Sequence, residues 1–522
     1  MNQEFNHYLN FTVVTKKIVQ NVSMITEKYR SIIALLPQYF RGDYPYGLIL
    51  QELPKNLYTI LLVTYILYGA LLTFIILQLC ALNLYGVKAA RRINKEVKLS
   101  LPRYPYLSII LPVKNEPIEV IEDMIKRLST VIYPRDRFEI IIVSDDPKDY
   151  FEKIKCRVES ISEKLGLNVK LLNREPIGYR GLAYNYAVNY AKGEILAFID
   201  IDTKLPPNYF IEAINLLNNG YDIVSSSWRG YVTLPTSVAR SLKVVYDIFN
   251  ELFLRGRFLC KGFTIAGGSN VVMKRRVFEQ LNGWCNCSAD DLDLSIRARL
   301  RGFKIGLITN IYVNVEVPPN YTILKSQSAR WLANGVWALR NYMKSIVKSR
   351  NLSLWEKIDA FLWLTQYPSL SAIPLSIVIS ILTYLLNVII PPIPILTLQI
   401  IFTLLSFGIF FNSIIIGKKC GYSIIDIAGS LGRCAILSIA LSYSALICTL
   451  KALFKEWSWI PTPKGVKVLS SKTGNLVLEF TVTLLLTALA VSFIILENYI
   501  LSMYLLMNVV FMLYALMNSR IR

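Results

Sequence analysis

Residues 195–202 read Ile-Leu-Ala-Phe-Ile-Asp-Ile-Asp. Five apolar residues end on two acids one residue apart, which predicts a buried strand delivering carboxylates to its end. The same wording recurs upstream. Residues 106–113 run into Pro112-Val-Lys-Asn115-Glu116, and residues 138–144 run into Ser144-Asp145-Asp146-Pro147. Further strands are expected near 168–172 and 222–227, with helices over 117–130, 149–165, 180–192 and 206–218. Strands alternating with amphipathic helices predict an α/β domain with a doubly wound, mostly parallel sheet and right-handed crossovers. Such sheets bind ligands at the carboxyl ends of their strands.

The rest of the chain has a different character. Of 522 residues, 53% are apolar and only 18% charged, where soluble domains carry about 25% charge. Mean hydropathy is +0.41. An ordinary soluble enzyme, a disordered chain and a disulfide miniprotein are excluded. The single histidine, His7, lies in a polar N-terminal stretch, so no histidine general base, Ser-His-Asp triad or histidine-ligated zinc serves the main body. Cys285 and Cys287 alone among the eight cysteines are close in sequence. One Cys-x-Cys without a second pair is a poor zinc signal, and both are expected as reduced thiols.

Leu57–Tyr85 is an uncharged apolar run, followed by Lys88, Arg91, Arg92, Lys95 and Lys98. It is long enough for a bilayer core of about 30 Å, and the basic flank puts its C-terminal end in the cytoplasm. Near the C-terminus two apolar hairpins are expected. Ile373–Ile390 and Ile395–Ile416 join through Pro391-Pro392-Ile393-Pro394; Leu476–Leu496 and Tyr499–Met517 join through Glu497-Asn498. Lys418, Lys419, Arg520 and Arg522 follow the hairpins, and the short joints carry no Lys or Arg. Between the hairpins, Cys434–Leu450 is apolar but has basic residues on both sides, which favours a helix lying in the membrane plane. The resulting plan has about five spans: a tail 1–56, a span 57–86, a cytoplasmic catalytic domain 87–355, an interfacial segment and hairpin 356–420, an in-plane helix and loop 421–472, and a final hairpin 473–522. The formal charge of +21 then reflects membrane flanks and an anion site. With no basic arm or recognition motif, no nucleic-acid partner is expected.

Three strand ends bring five acids and an asparagine to one edge. Turns favour Asp and Asn in any protein, yet together these groups suit a bound cation or hydroxyls. If strand alternation continues, Asp200 and Asp202 point the same way. Two such oxygen donors fit Mg2+ or Mn2+ bridging a diphosphate. Asp290-Asp291-Leu-Asp293 opens another helix. These acids can simply complement the helix dipole, or one can deprotonate an acceptor hydroxyl. Gln327-Ser-Ala-Arg330-Trp331 places three side chains on one helix face. Gln327 and Arg330 can hold diphosphate oxygens, and Trp331 can face a sugar ring or pack a surface arginine.

In this order the motifs resemble the membrane-embedded branch of glycosyltransferase family 2, which includes cellulose-synthase-like enzymes and the mannan, hyaluronan and chitin synthases. The resemblance covers roughly 100–345 well and the membrane layout to 517 more loosely. It implies a GT-A fold and an inverting transfer from a UDP- or GDP-sugar. By position it places Pro112, Asn115 and Glu116 in the nucleotide pocket, and Asp145 or Asp146 at the base or ribose. Tyr179-Arg180-Gly-Leu-Ala-Tyr-Asn185 resembles the family's Lys-x-Gly-Ala-Leu-Asn segment, with Arg180 in place of lysine. Asp200 and Asp202 match the metal-binding Asp-x-Asp, and Ala266–Asn270 resembles the acceptor-side loop. Ala289-Asp290-Asp291 stands where the family has Thr-Glu-Asp, which implies Asp291 as base. Gln327, Arg330 and Trp331 match Gln-x-x-Arg-Trp, and Trp459–Gly465, with Lys464, resembles a gating loop. The implied acceptor is a growing glycan at the lipid bilayer, with export. A lipid-linked sugar transferase acting on a polyprenyl phosphate, an inactive membrane scaffold and a nucleotide-regulated transporter remain as alternatives.

Overall fold

The computed structural model describes residues 55–91, 100–385, 392–454 and 475–520. Two compact units divide after Leu67. Of the first, residues 55–67 are described and are helical; all that follows concerns the second unit.

The chain enters through helix α1 (Lys55–Ala90). The catalytic domain then alternates β1 (Leu107–Val113), α2 (Ile118–Leu128), β2 (Phe138–Ser144), α3 (Lys148–Leu165), β3 (Val169–Asn173), α4 (Arg180–Val188), β4 (Ile195–Ile199), α5 (Tyr209–Asn218) and β5 (Ile223–Tyr231). Helix α6 (Ser237–Asn250) runs on through a π-helical turn, Glu251–Gly256. Next come β6 (Asn270–Lys274), α7 (Arg275–Gln280), α8 (Asp290–Leu300), β7 (Ile305–Glu316), α9 (Tyr321–Lys348) and α10 (Leu354–Leu364).

The sheet order is β3-β2-β1-β4-β6-β5-β7. Its pairings are parallel except where β6 runs antiparallel to β4 and β5. β2 and β3 are laid down on one side of β1, and β4 is added on the other side. The β1/β4 boundary is therefore the topological switch point, where a crevice opens at the carboxyl ends. The apolar runs of β1 and β2 are buried on both faces, as a helix-covered parallel sheet requires. Ile109, Leu111, Ile140 and Ile142 pack against α2, α3 and α5; Ile110, Ile141 and Val143 pack with Tyr184, Phe198 and Trp284 on the opposite face. Strand alternation sorts these neighbours to opposite faces.

The membrane region holds α11 (Ala372–Leu385), α12 (Pro392–Lys419), α13 (Ile424–Phe454), α14 (Val477–Ile495) and α15 (Tyr499–Met517). Leu404, Phe411, Leu484 and Ile500 are each more than 60% exposed, an outward apolar surface suited to lipid. Pro392 and Pro394, expected in a joint, belong to the first turn of α12, where a missing N–H costs no helical hydrogen bond.

Six described helices have the length and apolarity to cross a bilayer, one more than the charge pattern suggested. The extra one is α13. About a third of the way along it Arg433 Nη1 donates to Ser241 Oγ of α6 at 3.2 Å, and near its end Arg340 Nη1 of α9 donates to Ala452 O at 3.1 Å. Between them Tyr443 donates to Asn508 of α15 at 3.0 Å. These two contacts with the α/β domain lie about 29 Å apart along the helix.

Two buried ion pairs tie the catalytic domain to the apolar helices. Glu479 of α14, 1% exposed, accepts from Tyr321 (3.1 Å) and pairs with Lys325 (2.6 Å), both on α9. Asp359 of α10, fully buried, accepts from Arg257 Nε (2.9 Å), Phe263 N (2.6 Å) and the Tyr85 hydroxyl of α1. The Arg257 guanidinium also lies 3.9 Å from the Trp363 ring centroid. Removing one partner of such a buried pair costs about 3–5 kcal/mol.

Candidate functional site

Asp200 directly follows β4, and its carbonyl accepts from Thr203 N at 3.0 Å. Asp200 and Asp202 therefore occupy a turn, which corrects the strand-alternation reading of their directions. The turn lies at the switch point, beside the end of β1.

Arg180, the first residue of α4, reaches this turn. Its Nη1 donates to Asp200 Oδ1 at 2.6 Å, while Nε and Nη2 hold both oxygens of Asp290 at 3.0 and 2.8 Å. One guanidinium so joins the β4 turn to the first turn of α8. Burial alone would lower its pKa; Asp200 and Asp290 outweigh that and hold it charged. The Tyr184 hydroxyl donates to Asp200 at 3.4 Å, one helical turn further along α4.

Asp291 is the next residue of α8. It accepts from Gly268 N at 3.2 Å and from Leu292 N at 2.8 Å. Burial, then the charge of Asp290, pushes its carboxyl above the usual range, while Arg180 and the two N–H groups pull it back. A methyl on Gly268 would lie 2.7 Å from Arg180 Nη2 and 3.1 Å from Asp291 Oδ2. The glycine at 268 is what lets this loop close over both side chains.

Arg330, on α9, is pulled below the usual guanidinium range, first by burial and then by Arg180; Asp291, Asp200 and Asp290 oppose that shift. Its neighbours in the motif pack into the scaffold. Gln327 accepts from Tyr246 at 3.1 Å, and Trp331 stacks at 5.6 Å from Tyr367 and 6.4 Å from Tyr246. The sugar-platform reading of Trp331 thus meets an aromatic cluster formed by the protein itself.

Other expected site residues serve the scaffold. Asp145 forms a two-point pair with Arg174 at 2.7 and 2.8 Å. Asp146, 3% exposed, accepts from Asn115 N at 2.6 Å and Ser144 Oγ at 2.8 Å. Asn115 has φ +55°, a left-handed conformation that asparagine tolerates, and this turns the exit of β1 toward β2. Pro112 sits opposite Val143 in that pair, and the Glu116 carbonyl accepts from Tyr150 at 2.8 Å. Asn185 exchanges two hydrogen bonds with the Trp284 backbone. Asn270, fully buried, accepts from Ser226 N at 2.7 Å and Tyr209 at 3.3 Å. Asn185 and Asn270, expected at the donor and acceptor, instead hold loops inside the domain, where polar burial demands partners. Lys464 and its loop lie outside the described residues.

Cys285 and Cys287, expected as thiols, are joined by a disulfide. Their sulfurs lie within 4.8 Å of an Asp293 oxygen, but Asp293 is engaged by Arg297 and Tyr342. That cluster offers no ligand set. Asp200 and Asp202 are hard oxygen donors of the kind that would hold Mg2+ or Mn2+. Asp290 and Gly268, named in the sequence only as parts of the Ala289-Asp290-Asp291 and Ala266–Asn270 segments, lie directly against Arg180 and Asp291. The repeated acids of 290–293 and the Gly-Gly pair at 267–268 were the available signals.

Residues 108–281 match the model of glycosyl transferase family 2, and residues 195–415 that of glycosyl transferase family group 2. A probable glycosyltransferase of Sulfolobus acidocaldarius is 30% identical over 436 residues, 82% of this chain and 91% of the relative. Probable glucomannan 4-beta-mannosyltransferase 6 of Oryza sativa subsp. japonica is 27% identical over 49% of this chain and 46% of its own. The chain thus spans about half the length of that plant relative. Among solved structures, mannosyltransferase PcManGT from Pyrobaculum calidifontis, in complex with GDP-Man and Mn2+, is 18% identical with TM-score 0.46, covering 69% of this chain and 98% of its own.

Proposed function

The chain belongs to glycosyltransferase family 2, and from that premise we propose that it is an inverting, metal-dependent hexosyltransferase that extends a glycan from the cytoplasmic side of a membrane. One observation carries the reading: Arg180 joins Asp200, at the β4 turn, to Asp290, and Asp290 adjoins Asp291. The donor diphosphate would lie at Asp200 and Asp202, with Arg180 and Arg330 supplying positive charge. Mg2+ or Mn2+ held there would neutralise the departing nucleotide diphosphate. Asp291 takes the proton of the acceptor hydroxyl as that oxygen attacks the anomeric carbon, and the bond to the diphosphate breaks on the opposite face. The raised pKa of Asp291 keeps its proton affinity closer to that task than an exposed carboxylate would.

The name of the plant relative makes a nucleotide-activated mannose the first donor to test, and a glucomannan-type glycan the first acceptor. Export of the product is supported by the position of Gln327–Trp331 on α9, which packs against α13. An in-plane α13 is supported by two contacts with the α/β domain, at Arg433 and at Ala452. The test is nucleotide release by the full chain in detergent with a panel of UDP- and GDP-sugars and Mn2+ or Mg2+. The expected result is metal-dependent release from one donor, abolished in Asp202→Ala and Asp291→Asn. A product of many sugars supports the polymer reading, whereas a single lipid-linked sugar overturns it in favour of a polyprenyl-phosphate acceptor. Equal release without metal would remove the assignment of Asp202.

A further inference from the structure

A second charged cavity lies outside this site, where two apolar helices end on the catalytic domain. It is lined by Arg229 of β5, Glu251 and Arg255 of the π-helical turn, Tyr312 of β7, and Lys419 and Cys420 at the end of α12. Ala89, at the end of α1, and Ile416 form apolar wall. Both helices are long and apolar enough to span a bilayer, so the cavity sits at the membrane edge, on the side of the catalytic domain.

Its chemistry is cationic and incompletely satisfied. Three positive side chains face one acid. Arg255, 8% exposed, pairs with Glu251 through Nη1 at 3.0 Å, yet its Nε has no partner. Arg229 stacks at 4.0 Å from the Tyr312 ring centroid, and its Nε is also buried without a partner. Lys419 donates to the Ala90 carbonyl, which fastens it across the mouth between the helix ends. Buried guanidinium N–H groups are costly to leave unpaired, and an excess of positive charge selects an anion over a neutral group. The enclosed space, about 20 Å³, admits one water-sized group. That is room for a single oxygen, with the remainder of the bound group outside.

We infer that this cavity seats a phosphate oxygen of an anionic lipid headgroup, drawn from the bilayer surface into the gap between α1 and α12. Inorganic phosphate carries the same oxygen chemistry, but a lipid is already concentrated at these helix ends, and its acyl chains continue along the apolar surface that Leu404 and Phe411 expose. Basic pockets between membrane helices recognise headgroups in this way.

The test titrates the full chain in neutral detergent with short-chain phosphatidylglycerol, short-chain phosphatidylcholine or inorganic phosphate, with binding followed by native mass spectrometry. Phosphatidylglycerol should bind in preference to both others. Arg229→Gln and Arg255→Gln should each weaken it on the order of tenfold, the loss of one charge-assisted hydrogen bond. Glu251→Gln removes the counter-acid and should tighten binding. Equal binding of phosphatidylcholine would overturn the site, and saturation by inorganic phosphate at the same concentration would overturn the lipid assignment. Where the arginine variants fail to fold, Glu251→Gln decides: weakened binding would mean that the cluster is structural and the inference wrong.

Discussion

Two groups of acids gather at the carboxyl edge of one sheet and have opposite fates. Asp145 and Asp146, after β2, find donors in adjacent strand ends: Arg174 for one, Ser144 and Asn115 N–H for the other. Asp200, Asp290 and Asp291 come from distant segments, and a single arginine from a third segment holds the first two. The first pair closes the carboxyl edge of the sheet; the second group concentrates charge in a crevice. A carboxylate saturated by neighbouring strands builds the fold, whereas acids that share one cation across the switch point are available to chemistry.

The sharpest way to break this contrast is Asp291→Asn. It should lower the transfer rate by about 10²–10⁴, the usual contribution of a general base, with donor affinity by calorimetry unchanged. Gly268→Ala comes next. Its methyl would press on Arg180 and Asp291, and an ångström-scale displacement of that kind costs about 10² in single-turnover rate. Asp146→Asn should act on the fold, lowering stability by about 1–3 kcal/mol in thermal unfolding while leaving turnover per folded molecule intact. Lost turnover at unchanged stability would place Asp146 with the second group instead.

The smallest effect is a shift in pH. Asp291 must be ionised to act as base, and burial and Asp290 raise its pKa, so activity should fall away at a higher pH than an ordinary carboxylate of about 4 would give. Asp290→Asn removes one raising charge and should move that acid limb to lower pH in a kcat profile at saturating metal. Stability carries the opposite sign: the protonated form favours the fold, and this contribution is lost as pH rises through the raised value.

The first five strands and the helices between them were legible because apolar runs and amphipathic periods are local signals. β6 and β7 were missed. β6 is a five-residue antiparallel insertion whose place between β4 and β5 depends on partners distant in sequence. The acids of the site were legible as strand ends and as a first helical turn, and Arg180 as a basic residue close to them. Which acids it would join was not, since Asp290 lies 110 residues away. For Asn185 and Asn270 a motif position names a residue, but only the fold shows which groups its amide meets, as Asn270 meets a neighbouring strand. Charge flanks located the apolar helices yet left α13 divided between crossing and lying flat, since its own composition suits both.

The buried carboxylate of Asp359 has a consequence for synthesis. Its hydroxyl partner, Tyr85, precedes it by 274 residues, and Arg257 by 102. At about 5–20 residues per second, the ribosome needs roughly 15–55 s to make the intervening chain. Throughout that interval the first described apolar helix lacks its partner, and the loop through Phe263 that leads to Gly268 lacks its anchor. The nascent enzyme therefore remains incomplete until α10 emerges, which makes completion of the site a late event of synthesis.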